Sequence, residues 1–140
     1  MFCVILQKKT MIQKPIDSVK KFHDAFNIDV ASKPTTNLNL DKIKLRYDLM
    51  QEENDEYLIA AKNDDLIEVA DALGDMLYIL CGTILTHGLQ NKIEEVFDAI
   101  QKSNMSKLGK DGKPIYRKDG KVLKGPDYFK PNIKNIFKTE

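Results

Sequence analysis

From about Asp64 to His87 the chain reads as one helix that is apolar nearly all round. Leu66, Ile67, Val69, Ala70, Leu73, Met76, Leu77, Ile79, Leu80, Ile84 and Leu85 cover it, and only Glu68, Asp71 and Asp75 form a polar stripe in its first half. A helix with that pattern belongs at the centre of a core. Acids placed there must take up a proton or find a partner, and the bases close by in sequence are Lys42, Lys44, Arg46 and Lys62. The preceding segment, about Asp41 to Lys62, is also helical and carries Glu52, Glu53 and Glu56. Glu53 and Glu56 are three residues apart, as are Glu68 and Asp71, so each pair shares a helix face. Asn63-Asp64-Asp65 breaks the first helix, and its acids cap the next. Two antiparallel helices joined there bring the pairs to comparable distances from the turn, so four carboxylates meet. Such a cluster repels itself and is costly to bury. A divalent cation that prefers oxygen ligands removes both penalties. The spacing therefore predicts a metal site on Glu53, Glu56, Glu68 and Asp71, for Mg2+ or Mn2+, and points to phosphate chemistry.

The rest of the chain supports a helical reading. Pro15 to Ser18 marks a helix start, with Asp17 or Ser18 as the cap and Val19, Phe22 and Phe26 at helical spacing. Residues 31–39 read as a loop. In the 41–62 helix the expected inner stripe is Ile43, Tyr47, Met50, Glu53, Tyr57 and Ala61. Gly88 is expected to end the long apolar helix, with Gly74 and Gly82 permitting close helix approach. A fourth helix spans about Asn91 to Lys107. Beyond it, two copies of Lys-Asp-Gly-Lys flank segments 114–116 and 121–123, which pair as a short hairpin. The apolar residues of the tail imply that it packs on something.

With 140 residues, one main domain is expected, divided as an extension at 1–12, a helical domain at 13–108 and a basic arm at 109–140. Either Met1 or Met11 could be the start. No uninterrupted apolar run reaches the roughly 18 residues of a membrane span, so a cytoplasmic protein with no membrane role is expected. The two cysteines, Cys3 and Cys81, make no disulfide framework, and Cys81 reads as a small buried hydrophobe. The net charge of +1 conceals a division: residues 41–75 hold eleven acids against four bases, and residues 102–138 hold eleven bases against three acids. That division suits a polyanion held through metal at one end and cations at the other.

Rival uses of such a chain are weaker. A dinuclear metal oxidase needs Glu-x-x-His pairs, and the residues three before His23 and His87 are Lys20 and Ile84. Those histidines read as a surface residue and a helix-end residue. No EF-hand loop, P-loop, dinucleotide fingerprint, zinc spacing or nucleophile elbow is present. A non-enzymatic nucleic-acid binder would use the Lys-rich tail, but the bases are not interleaved with a stacking aromatic platform. A structural bundle with a vestigial site is the third reading.

The arrangement Glu-Glu-x-x-Glu followed by Glu-x-x-Asp on an all-α chain resembles the MazG-type nucleoside triphosphate pyrophosphohydrolases. Segments 19–26, 68–73, 103–108 (Ser-Asn-Met-Ser-Lys-Leu) and 119–126 (Asp-Gly-Lys-Val-Leu-Lys-Gly-Pro) resemble the phosphoribosyl-ATP pyrophosphohydrolase-like branch, which includes enzymes active on dUTP. The resemblance spans about Ile12 to Pro131. It implies a four-helix bundle-like protomer with an irregular basic C-terminal arm, assembled as a homodimer or homotetramer. It implies hydrolysis of a (d)NTP to a (d)NMP and pyrophosphate, in the service of pool cleansing, with phosphoribosyl-ATP hydrolysis as the alternative. Glu53, Glu56, Glu68 and Asp71 would be the metal ligands. Glu52 would orient or deprotonate the attacking water, or bind a further ion, and Asp75 would stand one turn behind Asp71. Asn104 and Lys107 would face the nucleotide, and Lys121 and Lys124 would reach the phosphates.

Overall fold

The computed structural model describes residues 12–138. Its helices are α1 (Gln13–Ala25), α2 (Leu40–Lys62), α3 (Leu66–Thr86), α4 (Ile93–Met105) and the short α5 (Ile133–Ile136). The one β pairing among the described residues is an antiparallel bridge between Tyr116 and Val122, so the chain is all-α. It falls into two compact units, the first ending at Gln90 and the second beginning at Asn91.

In the first unit α2 and α3 pack along each other and α1 packs on α3. The α2–α3 turn forms as expected. Asp64 adopts a left-handed backbone (φ 56°), and the amides of Asp64 and Asp65 bond back to the carbonyls of Ala61 (3.4 Å) and Ala60 (3.1 Å). This is the Schellman ending of a helix. Asp65 then caps α3 by accepting from the Glu68 amide at 3.1 Å. One tetrapeptide thus ends one helix and starts the next, which forces the antiparallel pair. Gly88 (φ 67°) closes α3 in the same way, with Leu89 bonding to Ile84 at 2.9 Å. Asn39, unanticipated, caps α2 through the Lys42 amide at 2.8 Å.

Several local expectations are corrected. α1 starts at Gln13 with no side-chain cap, because Pro15 fits inside the first turn, where its missing N–H costs nothing. Asp17 and Ser18 are therefore internal; Asp17 accepts from Gln13 at 2.8 Å, and Ser18 donates to the Lys14 carbonyl at 3.0 Å. The buried stripe of α1 is Ile16, Val19 and His23, so His23 is a core residue, not a surface one. Phe22 instead stacks on Phe26 at 4.3 Å and meets Tyr78 edge-on at 5.7 Å. On α2 the inner stripe is rotated from the expected one: Arg46, Leu49, Met50, Glu53 and Ala60 turn inward, while Tyr47, Tyr57 and Ala61 are exposed.

The enclosed part of α3 lies mostly in its C-terminal half, through Cys81, Gly82, Ile84, Leu85 and Thr86, with Ala72 the one buried residue of the first half. Its first half leaves Leu66 and Ile67 75% exposed and Leu73 and Leu77 49% exposed. Among the described residues α3 is one helix long and apolar enough on average to cross a membrane, although its first half carries Glu68, Asp71 and Asp75. Gly82 is the glycine that permits close approach, since a Cβ there would meet the Arg46 guanidinium at 2.6 Å; none would be met at Gly74 within 4 Å.

In the second unit the tail returns onto α4. Buried Ser103 donates its hydroxyl to the Phe129 carbonyl at 2.8 Å, and the Phe129 amide donates to Ser106 Oγ at 3.1 Å. Gly125 bonds to the Lys107 carbonyl at 2.8 Å. Between them runs the anticipated hairpin, with Leu123 bonded to Ile115 at 2.7 Å and Arg117 to Lys121 at 2.8 Å. α5 packs on α4, which accounts for part of the tail's apolar content.

Candidate active site

Glu53 is the centre of the acidic cluster. It lies on the face of α2 that turns toward α3, and its Oε2 is buried without a hydrogen-bond partner among the described residues. Desolvation pushes its carboxyl above the ordinary glutamate range, helped by the charges of Glu56, Asp75, Glu52 and Asp71. Three of these neighbours, Glu56, Glu52 and Asp71, were named from the sequence as ligands or as the water-handling group. The fourth is Asp75, one turn beyond Asp71 on α3. Asp71 and Asp75 are both exposed.

Glu56 and Glu68 line a cleft of about 280 Å³ with Ile59, Ala60, Asn63 and Asp65, at the turn between the two helices. One member of each acid pair, Glu56 and Glu68, therefore faces the same cleft at the turn end of the helix pair. No three His, Cys, Asp or Glu groups among the described residues converge tightly enough to grip an ion as the side chains stand. The donor set is nonetheless all carboxylate oxygen, the chemistry that Mg2+ and Mn2+ select. Glu53 Oε2, held out of solvent with no partner, is the kind of group a cation would satisfy. The residues thus fit a hard divalent ion in type, and Glu53, Glu56, Glu68 and Asp71 remain the groups that would hold it.

The basic residues named from the sequence lie in the second unit. Lys107 donates to Asn104 Oδ1 at 2.7 Å, which presents the two as one polar feature at the end of α4. Lys121 and Lys124 are exposed on the hairpin and its exit. Lys124 Nζ stands 4.7 Å above the ring of Tyr128, a cation–π contact that holds the ammonium without neutralising it. Asp119 pairs with Arg117 and accepts from the Lys121 amide at 3.2 Å, so the turn's acid is occupied locally while Lys121 Nζ is left for other use.

Two residues whose inward placement the sequence did not reveal are Arg46 and His23. Arg46 donates from Nε to Thr83 Oγ1 at 3.1 Å and from NH2 to the Ile79 carbonyl at 2.7 Å. His23 is 2% exposed, and its Nδ1 has no partner among the described residues. Burial, and then the nearby Arg46 charge, hold its imidazole below the ordinary histidine range, against smaller opposing effects from Asp29 and Asp24. The signal that could have found both is a shared one: each occurs at helical spacing from apolar neighbours.

Residues 19–104 match the family model of phosphoribosyl-ATP pyrophosphohydrolase. A solved structure described as a "putative NTP pyrophosphohydrolase" from Exiguobacterium sp. 255-15 is similar at 26% identity and a TM-score of 0.48, over 87% of this chain and 92% of that one. No curated protein matches the chain.

Proposed function

Because the chain belongs to the phosphoribosyl-ATP pyrophosphohydrolase family, a family of nucleotide pyrophosphohydrolases, we propose that it cleaves a nucleoside or deoxynucleoside triphosphate between its α and β phosphorus atoms. The products are a monophosphate and pyrophosphate. The observation that carries this reading is Glu53, a partnerless buried carboxylate oxygen surrounded by the charges of Glu56, Asp75, Glu52 and Asp71. An ion held by Glu53, Glu56, Glu68 and Asp71 supplies charge neutralisation and a more acidic water. Glu52, about 100° round the helix from Glu53, orients the attacking water and takes its proton. Asn104 and Lys107 bind the nucleotide, and Lys121 and Lys124 offset the charge that develops on the departing pyrophosphate. No side chain need form a covalent bond to the substrate.

The exposed Leu66, Ile67, Leu73 and Leu77 on α3 exceed what a lone soluble helix pair leaves in water. They support self-association as a homodimer or homotetramer, which sedimentation would reveal as twice or four times the chain mass. The acids along the same helix favour a protein partner over lipid, and the reading places the enzyme in the cytoplasm with the nucleotide pools. Nucleic acid is not a partner in it.

The matched family name favours a second reading, hydrolysis of phosphoribosyl-ATP itself. A panel of triphosphates that includes dUTP, set against phosphoribosyl-ATP with Mg2+, Mn2+ or EDTA, decides between them. Pyrophosphate release from one or a few triphosphates supports pool cleansing. Turnover of phosphoribosyl-ATP alone replaces it with the second reading.

A further inference from the structure

The acid pairs work only if α2 and α3 keep one register. A slip of one residue moves the facing carboxylates about 1.5 Å along the axis and turns them by about 100°. At one end that register is held by the 60–68 turn, through the Asp64, Asp65 and Glu68 amides. The acids lie between this turn and Arg46, the next polar tie along the pair. Arg46 precedes Glu53 by seven residues, two turns back on the same face of α2. Its two acceptors, Ile79 and Thr83, lie one turn apart on α3, and so do Asp71 and Asp75. In an antiparallel pair, the stagger that sets Arg46 against Ile79 and Thr83 also sets Glu53 against Asp71 and Asp75, which are two of the charges acting on it.

The chemistry of the contact suits a register lock. Guanidinium offers a rigid fork, and here it grips a backbone carbonyl and a hydroxyl of α3, not a mobile carboxylate. Thr83 Oγ1 is itself tied to the Ile79 carbonyl at 2.9 Å, so all three groups form one closed set. Gly82 makes room for it: a Cβ there would lie 2.6 Å from Arg46 NH2 and 3.0 Å from His23 Nε2. α1 is thereby placed against the same point.

We propose that Arg46 is a positioning residue, whose grip on Ile79 and Thr83 fixes the α2–α3 register and so holds Glu53 beside Asp71 and Asp75. The proposal rests on the reading of those acids as a metal site. Its test is Mn2+ affinity, read by electron paramagnetic resonance on the full chain well below its melting temperature. Glu53→Gln serves as the control that removes a ligand. Arg46→Lys keeps the charge and loses the fork. Gly82→Ala displaces the guanidinium without touching a charge, and Thr83→Val removes one acceptor and serves if the other variants do not fold. We expect Arg46→Lys and Gly82→Ala to weaken Mn2+ binding by about tenfold, the scale on which outer supports of a metal site act, with unchanged helical content. Thr83→Val leaves the bond from Arg46 to the Ile79 carbonyl in place and weakens Mn2+ binding by less than the other two variants do. Folded variants that bind Mn2+ as the wild type does overturn the positioning role alone. A wild type that shows no Mn2+ binding sensitive to Glu53→Gln overturns the metal reading and this proposal together.

Discussion

Three helices end with a left-handed residue, Asn27 after α1, Asp64 after α2 and Gly88 after α3, at φ 56°, 56° and 67°. The same geometry predicts opposite signs for two substitutions. At Gly88 a Cβ would lie 2.1 Å from the Lys33 carbonyl oxygen, 2.5 Å from its carbon and 3.1 Å from Ala31 Cβ. The loop that carries Lys33 is fastened to the end of α3 on both sides. Ala31 bonds to Leu85 and Thr35 to His87, each at 3.0 Å, while Gln90 Nε2 reaches the Ala31 carbonyl at 2.9 Å. Gly88→Ala therefore meets fixed backbone. The left-handed backbone costs about 1 kcal/mol for a residue with a Cβ, and forcing the overlap apart costs about 1–3 kcal/mol more. The expected loss is about 2–4 kcal/mol, a large part of the stability of an ordinary domain. At Asp64 the residue already bears the left-handed strain. Asp64→Gly removes it and gives back part of the gain as chain entropy, so a change of about 0–1 kcal/mol in the stabilising direction follows. Urea unfolding of the metal-free protein, followed by circular dichroism, reads both. Gly88→Ala within about 0.5 kcal/mol of wild type, the usual span of an innocuous surface change, refutes the reasoning.

Other consequences concern charge and the C-terminal arm. Glu53 has a raised pKa in the folded protein, so its ionisation opposes folding as pH rises through that value; Glu53→Gln should raise the melting temperature of the metal-free protein at neutral pH while the wild type gains more than the variant from added Mg2+. His23 is shifted the other way: the unfolded chain takes up the proton first, so stability is full above about pH 6.5 and falls as pH drops from there toward the lower folded value. His23→Gln should flatten that part of the stability–pH curve; an unchanged slope assigns it to other groups. Ser103→Ala strips the donor from the Phe129 carbonyl and should cost about 1–2 kcal/mol, visible as faster proteolysis within 110–124.

What the sequence made legible follows from period and turn chemistry. The α2–α3 pair, the turn at 63–65, the Gly88 ending, the buried Cys81 and the hairpin all come from local rules that the structure obeys. The rotation of the α2 stripe was not legible, because Arg46 occupies an inward position that polarity alone assigns outward, while Met50 and Glu53 turn inward as expected. Arg46 is accommodated only because Gly82 leaves space across the interface, a relation between residues 36 apart. The start of α1 was misplaced because Pro15 signals a helix start without saying which turn position it takes. The exposed leucines of α3 look like core in the sequence because apolar periodicity marks a helix face and not what covers it. The acids of α2 and α3 were legible as two i,i+3 pairs on neighbouring helices; how closely they converge depends on side-chain rotamers, which spacing does not carry.

Whether the α2–α3 carboxylates direct metal-dependent cleavage between the α and β phosphorus atoms is decided by phosphorus NMR of the products, on the preferred nucleotide with Mg2+ or EDTA, for wild type and Glu53→Gln. Monophosphate and pyrophosphate are expected from the wild type with Mg2+ alone, and no product from the variant. Orthophosphate as the product, or turnover that survives both EDTA and Glu53→Gln, contradicts the proposed reaction.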